Sequence, residues 1–138
     1  MRIRFPNKSA NEGFARVAVA AFASQLDPTL EELADIKTAV SEAVTNAIVH
    51  GYQNGGGEIK LYACYYDTYE VRITVKDSGI GIEDVRKAME PLFTTDTTGE
   101  RSGMGFAIMQ SFCDKLRVTS APNKGTTVTM EKRLIPRR

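Results

Sequence analysis

Leu30-Glu-Glu-Leu-Ala-Asp-Ile-Lys-Thr-Ala-Val-Ser-Glu-Ala-Val-Thr-Asn-Ala-Ile-Val-His-Gly51 is the stretch from which the rest of the chain can be read. Leu33, Ile36, Val40, Val44, Ala47 and Ile48 recur with the period of an amphipathic helix, and Gly51 supplies its natural stop. Glu42 and Asn46 fall nearly opposite that stripe and, one turn apart, share a face. Either Asp27 or Thr29 can cap the start, and Pro28 suits a first helical turn. The expected helix, over residues 30–50, buries one side and carries a carboxylate and a carboxamide together on the other. His50, at its end, suits an interaction with the helix dipole better than catalysis.

Upstream, Arg2 to Phe5 alternates as a short edge strand, and Ser9-Ala-Asn-Glu12 reads as a capping box opening a helix over residues 10–25. Downstream, residues 58–66 and 69–76 alternate as two strands around a tight turn at Asp67-Thr68. Asp77-Ser-Gly-Ile-Gly81 ends the second strand, and residues 83–90 predict a short helix stopped by Pro91. Residues 92–103 are polar, rich in threonine and glycine, and read as a mobile loop. A helix over residues 106–113 follows, then a hairpin of residues 116–120 and 126–134 around Pro122-Asn-Lys-Gly125. The expected fold class is α/β, built as an α+β two-layer sandwich. Its sheet is mixed and antiparallel-rich, with helices covering one face. Residues 1–138 form a single domain in this reading.

The bulk composition excludes several roles. With 18 basic and 17 acidic residues the net charge is +1, which argues against a nucleic-acid or membrane-surface protein. Lys132, Arg133, Arg137 and Arg138 read as a solvated basic terminus. No apolar run has the length needed to span a bilayer and no leader pattern opens the chain, so a cytoplasmic location is expected. Cys64 and Cys113, far apart in apolar stretches, are expected as free buried thiols. A single histidine excludes a His-rich metal site.

Three short constellations can carry chemistry. Glu42 and Asn46 alone are most simply a solvated pair; functionally, the amide oxygen suits a hard cation and the carboxylate a ligand or base. Asp77-Ser-Gly-Ile-Gly81 is a turn in its simplest reading. Its glycines also admit a ligand close to the backbone, with the aspartate accepting from an exocyclic amine such as that of adenine. Arg101-Ser-Gly-Met-Gly105 opens a helix, where exposed N–H groups and glycines make room for phosphate and Arg101 adds a charge-assisted contact. It is neither a Walker A loop nor a dinucleotide-binding G-x-G-x-x-G.

In this order the three motifs resemble the N, G1 and G2 boxes of the GHKL ATPase superfamily, the Bergerat fold, and Gly125-Thr126-Thr127 resembles its last nucleotide-contacting motif. The match spans nearly the whole chain. Glu42-Ala-Val-Thr-Asn-Ala-Ile-Val-His-Gly-Tyr52, Pro91-Leu-Phe-Thr-Thr95 and Glu100-Arg-Ser-Gly-Met-Gly-Phe-Ala-Ile-Met109 narrow the resemblance to the anti-sigma factor serine kinases, in particular the sporulation group.

That resemblance implies ATP or ADP and Mg²⁺ as cofactors and a homodimer as the working state. The partners it implies are a sporulation sigma factor and an anti-sigma factor antagonist that is phosphorylated on serine. Carried over, Asn46 would chelate Mg²⁺ and Glu42 would act as general base. Asp77 would accept from the adenine amine, with Gly79 and Gly81 admitting the base and Gly103 and Gly105 the phosphates. Arg101 would touch the terminal phosphate, Thr126 the adenine side, and Thr95, Ser102 and Met104 would complete the nucleotide contacts around a lid at about residues 92–103. Arg16 matches an arginine the family uses to contact its protein partners. The alternatives are a general-stress (sigma B type) anti-sigma kinase and a nucleotide-gated sigma-binding protein without kinase activity.

Overall fold

A computed structural model describes residues 1–51, 56–79 and 105–136. In chain order these form β1 (Arg2–Pro6), α1 (Ala10–Ala23), α2 (Leu30–Asn46), β2 (Glu58–Tyr65), β3 (Glu70–Asp77), α3 (Gly105–Phe112), β4 (Lys115–Ser120) and β5 (Thr126–Arg133). The strands make one sheet in the order β1-β2-β3-β5-β4, and every neighbouring pair is antiparallel. The expected α+β sandwich is therefore present, with its described strands antiparallel throughout rather than mixed.

Strand alternation makes the two layers. Phe5, Ile59, Leu61, Ala63, Val71, Ile73, Val75, Val128 and Met130 face inward and pack with Ala15, Val19, Ile36, Val40, Val44 and Met109 from the helices. Outward residues include Arg4, Lys60 and Lys76, opposite one another on three adjacent strands, and Arg72, whose guanidinium reaches Glu131 at 2.6 Å. The same alternation corrects two expectations. Cys64 follows inward Ala63 and so is exposed rather than buried, whereas Cys113 is half-buried; both are free. Lys132 faces inward and pairs with Asp35 at 3.0 Å instead of belonging to a solvated tail. Burial pushes the Cys113 thiol up to about 11, with Asp114 adding to the shift, and its Sγ–H donates to the Met109 carbonyl at 2.8 Å.

Two sequences of capping-box form behave differently. Ser9 is helical in its own backbone, so its carbonyl rather than its hydroxyl takes the Glu12 N–H at 3.2 Å, and the Glu12 carboxylate goes to Ser41 of α2 and Arg16. Thr29 is the cap of α2: its hydroxyl accepts from the Glu32 N–H at 3.0 Å, and Glu32 Oε1 accepts from the Thr29 N–H at 2.9 Å. Asp27 instead adopts a left-handed backbone (φ 52°) that closes the short 3₁₀ turn Ser24–Leu26 after α1. At the other end of α2 the expected continuous helix to His50 is corrected. Regular α geometry stops at Asn46 and a π turn, Ala47–Gly51, follows, keeping Ala47 buried and Ile48 packed on the core.

Glu32 does more than cap. Its Oε2 accepts from the Ile135 N–H at 2.8 Å, so one buried carboxylate joins the start of α2 to the segment after β5. Burial pushes its carboxyl up, but N–H donors from Thr29 and Ile135, the Thr29 hydroxyl and nearby Lys132 outweigh this and hold it below the ordinary range. A depressed folded-state value means that the stabilisation is present above the unfolded value. It is lost as pH falls through the folded one. Glu32→Gln is expected to cost about 1–3 kcal/mol at neutral pH. Urea unfolding of both proteins from pH 7 to pH 3 should show the gap between them closing with acid; a gap independent of pH would contradict this account.

Candidate functional site

Row by row across the sheet, the inward face changes character. Ile3, Leu61, Val75, Val128 and Val118 occupy one row. The next, at the end of the sheet, is Phe5, Ile59, Asp77, Thr126 and Ser120. The helix-facing surface thus turns polar across β3, β5 and β4 alone. Asp77 and Thr126 are 4% and 5% exposed, as buried as the valines beside them. A polar group placed there is costly unless bonded. Asp77 Oδ1 accepts from the Gly79 N–H at 2.9 Å, and the Ser120 hydroxyl donates to the Gly125 carbonyl at 2.8 Å while lying 2.9 Å from Thr126 Oγ1. Burial raises the Asp77 carboxyl above its usual range, and the N–H groups of Gly79 and Thr126 oppose that rise.

Gly125 closes this row. Its φ is +83°, and an added Cβ would lie 2.1 Å from the Asp77 carbonyl oxygen and 2.7 Å from Ser78 Cα. Glycine here answers both requirements at once: a left-handed turn and backbone pressed on backbone. The β4–β5 turn is thereby seated directly on the turn that follows β3.

Helix α2 is pinned so that its polar end comes to the same region. Near its start, Asp35 binds Lys132 at the C-terminal end of β5. From Lys132 back to Thr126 is about 20 Å of strand, and from Asp35 on to Asn46 about 16 Å of helix. The turn Ala47–Gly51 packs on β3, the strand that ends in Asp77. Glu42 and Asn46, both half-buried, are carried on this last stretch. Arg16 is on α1, its guanidinium 3.4 Å from Glu12.

Among the expected site residues, Asp77, Gly79 and Thr126 are brought together, Glu42 and Asn46 lie half-buried on the last turns of α2, and Gly105 opens α3. Gly81, Thr95, Arg101, Ser102, Gly103 and Met104, the short helix over 83–90 and the loop over 92–103 lie outside the described residues. Ser120 was not legible in the sequence as a site residue: only the β4–β5 register sets it against Thr126. Among the described residues no cluster of three His, Cys, Asp or Glu can hold a metal. One amide oxygen and a nearby carboxylate instead fit an ion carried chiefly by phosphate and water. Among the described residues no helix is long and apolar enough to cross a membrane.

Residues 5–132 match the family model of the histidine kinase-like ATPase domain. The anti-sigma F factor of Caldanaerobacter subterraneus subsp. tengcongensis is 60% identical over 132 residues, covering 96% of this chain and 92% of its own. That of Clostridium acetobutylicum is 57% identical over 133 residues, covering 96% and 92%. Among solved structures, the RsbU and RsbW domains of a Mycobacterium tuberculosis protein align with TM-score 0.71 and 22% identity over 100% of this chain and 33% of theirs. The catalytic domain of the histidine kinase ThkA aligns with TM-score 0.58 and 20% identity over 97% and 96%. These two likenesses speak for the fold alone. With its fold, ordered motifs and near full-length identity in agreement, the chain belongs to the histidine kinase-like ATPase domain family, among the anti-sigma F factors.

Proposed function

We propose that this single-domain chain binds ATP with Mg²⁺, holds a sporulation sigma factor away from RNA polymerase, and phosphorylates a serine of the anti-sigma factor antagonist. The observation that carries the nucleotide part is the buried row Asp77–Thr126–Ser120 closed by Gly125. A buried carboxylate beside a glycine turn is a specific acceptor for an exocyclic amine. In this reading Asp77 selects the base, Gly79 and Gly81 admit it, and Thr126 lines its side. Gly103, Gly105 and the first turn of α3 receive the phosphates, with Thr95, Arg101, Ser102 and Met104 completing the contacts. Asn46 would be the protein ligand for Mg²⁺, and the ion, when bound, would offset the phosphate charge.

Phosphoryl transfer asks the protein mostly for position and charge. The substrate serine oxygen attacks the γ-phosphorus, the bond to the β–γ bridging oxygen breaks, ADP leaves, and Glu42 takes the hydroxyl proton. Arg101 offsets charge on the transferred group. Glu42 is the feature that favours a kinase over a nucleotide-gated binder, because binding alone does not require a carboxylate there. The identity to anti-sigma F factors favours the sporulation partner over the general-stress one.

Helix α1 supports a protein-contact role. Phe14 and Val17, three residues apart on one face, are 52% and 63% exposed, and Arg16 stands on another flank of the same helix. We assign Arg16 to partner contact and this helix to contact between protein chains, homodimerisation included. The test of the whole reading is incubation of the purified protein with γ-labelled ATP and the antagonist. Label on one antagonist serine is expected; bound ATP with no labelled serine would leave a nucleotide-gated binder instead.

A further inference from the structure

Arg16 is held from behind. Its Nη1 is 3.4 Å from Glu12 Oε1, and a Cβ added to Gly13 would lie 3.8 Å from Nη2. The guanidinium therefore folds back over Gly13, one turn toward the helix start, as long helical side chains do. An exposed i,i+4 pair alone orders an arginine poorly. Here Glu12 is itself anchored: its side chain is only 23% exposed, and the same Oε1 accepts the Ser41 hydroxyl from α2. Ser41 immediately precedes Glu42, and its carbonyl accepts from Thr45 Oγ1 at 2.7 Å. Three side chains thus run from the exposed edge of α1 to the turn of α2 that carries Glu42.

We infer that Glu12 and Ser41 are positioning residues that set the Arg16 guanidinium for the protein partner, with α2 as their anchor. This rests on the partner-contact role proposed above for Arg16. An arginine ordered before binding loses less side-chain freedom when the partner arrives. Ser41→Ala removes the anchor without changing any charge, and Ser41→Thr restores the hydroxyl.

The test is a double-mutant cycle on affinity for the purified sigma factor in the presence of ATP. Ser41→Ala is expected to weaken binding three- to tenfold and Ser41→Thr to recover most of it. In an Arg16→Ala background, Ser41→Ala should change nothing further, because the group it positions is gone. Glu12→Gln should follow the same pattern. If Arg16→Ala weakens binding but Ser41→Ala costs the same in both backgrounds, Ser41 acts on the fold and the inference is overturned. No effect of Ser41→Ala on the unsubstituted protein overturns it equally. If Arg16→Ala leaves affinity intact, the role of Arg16 itself fails, and the inference falls with it by a separate and recognisable result.

Discussion

Glu42→Gln should abolish phosphorylation of the antagonist, lowering the rate by about a hundredfold to ten-thousandfold, while ATP affinity shifts by no more than a few-fold. Glutamine keeps the shape and can still donate and accept hydrogen bonds, but it cannot take the serine proton at neutral pH. Glu42 lies half-buried on the last turns of α2, four residues from Asn46, so the proposed base and the proposed metal ligand share one rigid element. The separation of effects is the informative part. A comparable loss of nucleotide binding would make Glu42 a ligand rather than a base. Undiminished transfer would remove it from the chemistry altogether. Single-turnover phosphorylation and an equilibrium ATP titration on the same preparation supply both readings.

The second large effect is expected at Gly125, where alanine would damage fold and site together. The left-handed backbone costs a non-glycine residue about 1–2 kcal/mol, and forcing a methyl against packed backbone costs about 1–3 kcal/mol more. A Cβ 2.1 Å from the Asp77 carbonyl has no flexible neighbour to displace, so β5 must move away from β3 at the Asp77–Thr126 pair. We expect Gly125→Ala to lose about 2–5 kcal/mol by urea unfolding. Its remaining folded fraction should bind ATP at least tenfold more weakly. Gly56→Ala is the matched control, since nothing lies within 4 Å of its added Cβ. Wild-type stability in Gly125→Ala would show that the turn is not seated on Asp77 as described.

Much of this was legible in the sequence because it depends on local rules. The apolar period of residues 30–48 marks α2, and alternation marks each strand to within a residue or two. What escaped was decided by partners distant in the chain. Ser9-x-x-Glu12 and Thr29-x-x-Glu32 have the same form, yet only the second closes on itself. Glu12 turns to Ser41 on another helix, whereas Glu32 keeps one oxygen for Thr29 and gives the other to Ile135. Cys64 looked buried because its neighbours are apolar, and only strand parity sends it outward. The candidate site shows the same division. Motif order proposes Asp77 and Thr126, but strand pairing and the turn geometry alone put Ser120 beside them and Gly125 against Asp77.

Asp77 occupies a core position of β3, one place beyond outward Lys76 and two beyond inward Val75. Strand faces alternate strictly, so inserting or deleting one residue in this strand would turn every later side chain to the opposite face. An insertion just before Val75 would set Lys76 where the purine's amine is expected and turn Val75 to water; a deletion there would set Ser78 in that place. Errors that spoil nucleotide choice by this route therefore also unfold the domain. Such variants would lack the folded surface that holding a partner requires. For a protein whose proposed task is to hold and release, the strand thus ties input to output: a chain that loses nucleotide choice by this route loses its grip as well.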